Sequence, residues 1–235
     1  MNPLRLEKIS FNDILKDITI SLNQGETYCL LGYNGSGKSL LLKIATGLLM
    51  PTQGQVFYQD KSLYESLRYT KLKMMERTGF LFQNAALLSN MNVFDNVALV
   101  LRYHSRLKDK EIKEKVDFFL EKLRLYKKAH FMPSDLSTGE KKLVSFARAI
   151  VNDPDILILD EPTALIDKKT KKVLLDIIEE AKEKEKKTIF MTSSDTELIF
   201  NISDFVGVIM DGMLKIQGEP YEIKYSDQKE IKELL

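Results

Sequence analysis

The 235-residue chain has no tryptophan, one cysteine (Cys29) and two histidines (His104 and His130). A single cysteine excludes an internal disulfide. It lies in the apolar run Thr27-Tyr-Cys-Leu-Leu31, where a thiol reads as a small buried hydrophobe. The histidines have no His/Cys cluster around them, so both read as structural rather than metal-ligating. No run approaches the roughly 18 apolar residues that a membrane span needs. The opening Met-Asn-Pro-Leu-Arg-Leu-Glu has no basic segment leading into an apolar one, so no signal peptide is expected. Neither sign of charge is in excess. The 35 basic and 34 acidic residues leave a formal charge of +1, which disfavours nucleic acid as the main partner. With 44% hydrophobic and 29% charged residues, the composition is ordinary for a soluble protein, and these features together lead to the expectation of a cytosolic chain. The length suits one large α/β domain with an inserted lobe.

What is present is a phosphate-binding loop. Gly32-Tyr33-Asn34-Gly35-Ser36-Gly37-Lys38-Ser39 matches the pattern G-x-x-x-x-G-K-[ST] without a mismatch. Glycines at 32, 35 and 37 let successive backbone N–H groups turn inward around a polyphosphate. Lys38 supplies a mobile cation for the β and γ oxygens, and Ser39 a hydroxyl for a magnesium ion. A buried strand at 27–31 precedes the loop and a helix at 39–49 follows it, so the helix dipole faces the phosphates.

The rest of the chain organises around this unit. Strands are expected at 4–9, 18–22, 55–59 and 79–83. From 84 to 152 the pattern is helical, with Ile112, Val116, Phe119, Leu120 and Leu123 on one helix face. Alternation then returns: strand 155–160, helix 168–186, strand 188–192, helix 195–202 and strand 205–210. The turn Asp211-Gly212 leads into a strand at 213–217. Apolar strands alternating with helices imply a parallel sheet covered on both faces. The Lys-rich stretches at 168–172 and 182–187 read as solvated helix surface.

The strand Ile156-Leu-Ile-Leu-Asp160-Glu161 ends in two acids. In phosphate-loop proteins such an acid approaches the bound magnesium, which assigns Asp160 to the ion and Glu161 to the attacking water as general base. Gln83 closes the strand at 79–83, where its amide can reach the metal or the water. Leu136-Ser137-Thr138-Gly139-Glu140 opens a helix, so Ser137 reads as an N-cap. A Ser/Gly helix start is also a cradle for a γ-phosphate.

In this order the motifs resemble an ABC-transporter ATPase subunit over nearly the whole chain: Walker A at 32–39, Q-loop Gln83, signature 136–140, Walker B 156–161 and a D-loop Ala164-Leu-Ile-Asp167. The resemblance implies an α/β P-loop NTPase fold. A RecA-like parallel core with an N-terminal antiparallel β part would occupy 1–84 and 154–235, and a helical signature subdomain 85–153. It implies Mg2+ and ATP as cofactors, a homodimer in which Ser137, Thr138, Gly139 and Glu140 act in trans, and a membrane permease docked on the region after Gln83. The subunit would sit peripherally at the cytoplasmic face of the cell membrane. Residues 82–98 with Leu101-Arg-Tyr-His104 look like the Mla/Mce-type phospholipid transporters' ATPase, which implies phospholipid cargo, although their apolar side chains would serve equally as core. Another cargo, such as a drug or an amino acid, is the alternative.

The sequence departs from that pattern at several positions. Thr138 and Glu140 replace a glycine and a glutamine of the usual signature, and Glu140 brings negative charge towards ATP. Spacing to Asp204 puts Ser194 where a switch histidine is expected, and a serine is shorter and carries no positive charge. The hairpin that normally bears an adenine-stacking aromatic is cut short between Phe11 and Ile14; Phe11 is open to either base stacking or core packing. These departures keep ATP binding but raise a slow-turnover, nucleotide-gated regulator as a rival.

Overall fold

A computed structural model describes residues 2–235. The antiparallel strands β1 (Leu4–Phe11) and β2 (Leu15–Leu22) precede the buried β3 (Thr27–Leu31) and α1 (Lys38–Ala45). Next come β4 (Gln53–Tyr58), β5 (Lys61–Ser62), α2 (Arg68–Glu76) and β6 (Thr78–Leu81). Three helices follow: α3 (Val93–His104), α4 (Asp109–Lys122) and α5 (Thr138–Ile150). The alternating part runs β7 (Ile156–Asp160), α6 (Lys168–Glu183), β8 (Thr188–Thr192), α7 (Thr196–Ile202), β9 (Phe205–Met210) and β10 (Met213–Gly218). The short helices α8 (Pro220–Lys224) and α9 (Lys229–Leu234) close the chain.

One sheet has the order β10-β9-β3-β8-β7-β6, parallel except for the antiparallel edge strand β10. The other is antiparallel, in the order β2-β1-β4-β5. Every residue of β3, β7 and β8 is buried, as strands covered on both faces require. α1 packs between the sheets with Leu41, Leu42, Ile44 and Ala45 buried. The other face of the parallel sheet joins the core of α3–α7 through Leu157, Leu159 and Met191. The carboxyl ends of β3, β7 and β8 converge beside the amino end of α1, where open parallel sheets bind ligands.

Several boundaries differ from the sequence reading. α1 ends at Ala45, not 49, because Gly47 turns left-handed (φ +76°) and its N–H returns to the Ile44 carbonyl at 3.0 Å. α2, α8 and α9 had no sufficient periodic pattern to be read. β6 stops at Leu81, two residues short of Gln83. The helical pattern expected from 84 begins only at Val93. Ala85 and Ala86 are left-handed (φ +60° and +48°), and Asn92 caps α3 by accepting the Asp95 N–H at 2.7 Å. Asn96, fully buried, spans the irregular stretch. Its Oδ1 accepts the Leu88 N–H and its Nδ2 faces the carbonyls of Leu88, Met91 and Asn92 at 2.9–3.1 Å.

Candidate nucleotide site

The loop at 32–39 joins β3 to α1. A Cβ built on Gly32 would lie 2.2 Å from the Ile209 carbonyl, so β9 leaves no room for a side chain there. Gly37 caps α1 in a left-handed conformation (φ 101°) against Leu15. Lys38 is 6% exposed, and its ammonium donates to the Gly32 carbonyl at 2.7 Å and the Tyr33 carbonyl at 2.9 Å, folding the loop around its own cation. Burial lowers its pKa, and the carboxylates of Glu161 and Asp160 oppose that shift. The Ser36 hydroxyl is buried without a hydrogen-bond partner among the described residues. An orphaned buried donor in this glycine-rich loop fits a polyphosphate, whose oxygens are acceptors only.

The carboxyl end of β7 brings the acids to this loop. Asp160, 3% exposed, accepts hydrogen bonds on one oxygen from Ser39 Oγ and Thr192 Oγ1, each at 2.9 Å. A serine hydroxyl and a carboxylate in contact are the hard oxygen donors that suit Mg2+, which takes one or two carboxylates and completes its shell with water and substrate phosphate. Glu161 has left-handed backbone (φ +45°), a strained conformation for this residue type. Its N–H donates to Thr192 Oγ1 at 2.9 Å, and its carbonyl accepts from Lys142 Nζ at 3.0 Å. Its carboxylate Oε2 accepts from the Ser194 N–H at 3.1 Å and the Ser194 hydroxyl at 3.2 Å. Ser193 is buried, and its hydroxyl accepts the Asp195 N–H.

Ser194 therefore touches the carboxylate of Glu161. Because the N–H of residue 194 survives any side-chain change, Ser194→Ala is expected to slow turnover by no more than about 10-fold, the weaker end of a hydrogen bond to a charged group. Ser194→His is expected to raise turnover by adding a donor that can carry charge. A steady-state assay checks both. Loss of all hydrolysis in Ser194→Ala would give the serine the full role assigned to a histidine.

The remaining predicted residues divide. The Gln83 side chain is exposed and makes no hydrogen bond among the described residues; its carbonyl accepts from Lys142 Nζ at 2.6 Å. Tyr33, also in the loop, is half exposed. Ser137 caps α5 by accepting the Glu140 N–H, and Glu140 accepts the Ser137 N–H at 3.0 Å in a reciprocal capping box. Glu140 also pairs with Lys128 at 2.6 Å, and that partner holds its carboxyl below the usual range. The negative charge expected to face ATP is thus turned back and neutralised within its own chain. Gly139 lies against Thr170 of α6, leaving little space for a Cβ. Among the described residues no hydrogen bond or ion pair links 137–140 to 32–39. Phe11 packs half-buried against the sheet core, whereas Ile14, at the hairpin tip beside Gly37, is 47% exposed. Thr192 and Lys142 are the site residues that sequence reasoning missed. The available signal for Lys142 was its place on the apolar stripe of α5 with Phe146 and Ile150.

Fold and loop together define a P-loop nucleotide-binding cassette. Residues 15–164 match the ABC transporter family, and the chain belongs to it. The methionine import ATP-binding protein MetN of Lactobacillus johnsonii is 33% identical over 225 residues, 94% of this chain and 64% of that protein. Its counterpart in Streptococcus agalactiae is 36% identical over 213 residues, 89% of this chain and 60% of that protein. The chain thus spans about three-fifths of the length of these curated relatives. Among solved structures, a dimeric bacterial ABC transporter cassette superposes with a TM-score of 0.87 at 24% identity, covering 92% of this chain and 98% of that one, a likeness of fold. CbiO1 of Clostridium perfringens, part of the ABC transporter complex cbiONQ, gives 0.81 at 29% identity, covering 96% and 91%. The phospholipid cargo expected from residues 82–104 finds no support in these relatives, which are named for methionine import.

Proposed function

We propose that this chain hydrolyses Mg-ATP to ADP and phosphate as the peripheral, cytoplasmic-face subunit of an ABC transporter, working as a homodimer bound to an integral-membrane permease. The observation that carries this reading is the continuous contact from Ser39 to Asp160 to Thr192 to Glu161 to Ser194, alongside the buried ammonium of Lys38. In it, residues 32–39 bind the phosphates and Lys38 moves from its loop carbonyls to the β and γ oxygens. Ser39 and Asp160, with Gln83, would hold Mg2+, which offsets phosphate charge and polarises the transferred group. Glu161, oriented by Ser194, accepts the proton of the attacking water.

Dimerisation is supported by the distance in bonding between the signature and its own phosphate loop, and by Leu165. That residue is 85% exposed with left-handed backbone just beyond Glu161, an apolar side chain held out at the site's rim. In the dimer, Ser137, Thr138, Gly139 and Glu140 of one copy close on the nucleotide of the other. The helical stretch 85–153 acts as one body against the core formed by 1–84 and 154–235. The permease docks on the groove after Gln83, lined by Phe82, Leu88, Leu99, Val100 and His104. No helix of the described residues is long and apolar enough to cross a membrane. The cargo that the relatives' names support is an amino acid such as methionine.

The test is affinity recovery of the chain from detergent-solubilised membranes. A multi-span permease with an amino-acid-binding partner and ATP turnover is the expected result. A lipid-binding partner would restore the phospholipid cargo. Recovery without any membrane protein, and without turnover, would overturn the transporter reading in favour of a nucleotide-gated regulator.

A further inference from the structure

α5 carries two cations whose work lies entirely on the main chain of other segments. Lys142, 2% exposed, donates to the Gln83 carbonyl at 2.6 Å and the Glu161 carbonyl at 3.0 Å. Arg148 donates to the Ala86 and Ala85 carbonyls at 2.9 and 3.1 Å. The loop they hold contains the left-handed Ala85 and Ala86, and it borders the groove lined by Phe82 and Leu88. Glu161, the second acceptor of Lys142, is itself left-handed. Its N–H is fixed by Thr192, and its carbonyl is fixed by Lys142, with Ala164 N a longer donor at 3.3 Å.

A buried ammonium is costly unless its protons are accepted. Here burial lowers the Lys142 pKa, while the nearby carboxylates of Asp160 and Glu161 oppose that shift. An uncharged residue of similar length would fill the space but leave both carbonyls without their strong donor. Arginine keeps a charged donor. Lysine at this position thus has a use that packing alone does not supply.

We propose that Lys142 is a positioning residue that holds Glu161 in its left-handed, reactive orientation and ties it to the Gln83 loop, so that movement of that loop is delivered to the carboxylate that takes the proton of the attacking water. The assignment rests on the proposed role of Glu161 in ATP hydrolysis. A displacement of the Gln83 loop, the segment next to the permease groove, shifts one acceptor of the ammonium and so loads the other. Arg148 makes residues 83–86 follow α5 as one unit.

The experiment measures ATP turnover and equilibrium ATP affinity of the full chain carrying Lys142→Met, Lys142→Arg, Glu161→Gln, and Lys142→Met with Glu161→Gln. Lys142→Met is expected to lower kcat about 10- to 100-fold with ATP affinity unchanged, and Lys142→Arg to recover most of it. In the Glu161→Gln background Lys142→Met should cost nothing further, because its effect runs through that carboxylate. A merely structural lysine would lower stability and give additive losses in the double variant. Near wild-type kcat in folded Lys142→Met, or additive losses, overturns the inference while leaving the role of Glu161 intact. Undiminished turnover in Glu161→Gln alone would instead remove the reading beneath it. If Lys142→Met fails to fold, Lys142→Gln, which keeps one neutral donor, is held to the same kcat and additivity criteria.

Discussion

Replacing Glu161 by glutamine is expected to slow ATP hydrolysis by about 10²–10⁴ while leaving ATP binding in place. The amide matches the carboxylate in shape, and its oxygen can still accept the Ser194 N–H and hydroxyl that now meet Oε2. The bonds that set the left-handed backbone of Glu161 are made by its main chain to Thr192 and Lys142, so they survive the change. Only the ability to take a proton disappears. Since nucleotide still binds and closure is no longer followed by hydrolysis, the variant should accumulate as a dimer in Mg-ATP. Turnover and light scattering with and without Mg-ATP decide the matter. A monomer in ATP with near-normal turnover would move the general base elsewhere.

The parts of this site that were legible in the sequence are those set by local pattern. Gly32, Gly37, Lys38 and Ser39 are neighbours in the chain, and the strand-loop-helix around them is written in the same few residues. Asp160 and Glu161 were legible because a fully apolar strand ending in two acids has few other uses beside a phosphate loop. The parallel sheet followed from the buried runs of β3, β7 and β8. Lys142 was not legible because its acceptors lie 59 and 19 residues away and are main-chain carbonyls, which leave no mark in the sequence. Thr192 was hidden likewise, its partner Asp160 being 32 residues distant. Gln83 reads as a strand end because the apolar pattern of 79–82 runs one residue further than the pairing with β7. Glu140 seemed to bring unfavourable charge to the nucleotide until Lys128 and the capping box accounted for it. Cargo stands apart from all of these, because it is chosen by surfaces that contact the transported molecule rather than by the nucleotide site.

Replacing Lys38 by alanine is expected to weaken ATP binding about 10- to 150-fold, the equivalent of one charge-assisted hydrogen bond of roughly 1.5–3 kcal/mol. The structure adds a reason why the loss should not exceed this range. The ammonium does not wait free in the site; it is spent on the carbonyls of Gly32 and Tyr33 at 2.7 and 2.9 Å. Binding therefore exchanges these neutral acceptors for phosphate oxygens, and only the difference appears as affinity. The same contacts predict a second effect. Without Lys38 the loop loses its internal brace, and the buried carboxylates of Asp160 and Glu161 lose a neighbouring positive charge, so the nucleotide-free protein should also unfold at lower denaturant concentration. Equilibrium ATP binding and a urea titration separate the two effects, since the first compares bound with free protein and the second needs no nucleotide. Unchanged ATP affinity would overturn the assignment of residues 32–39 as the phosphate site. Weakened affinity with unchanged stability would mean that the brace to Gly32 and Tyr33 contributes nothing to the resting loop.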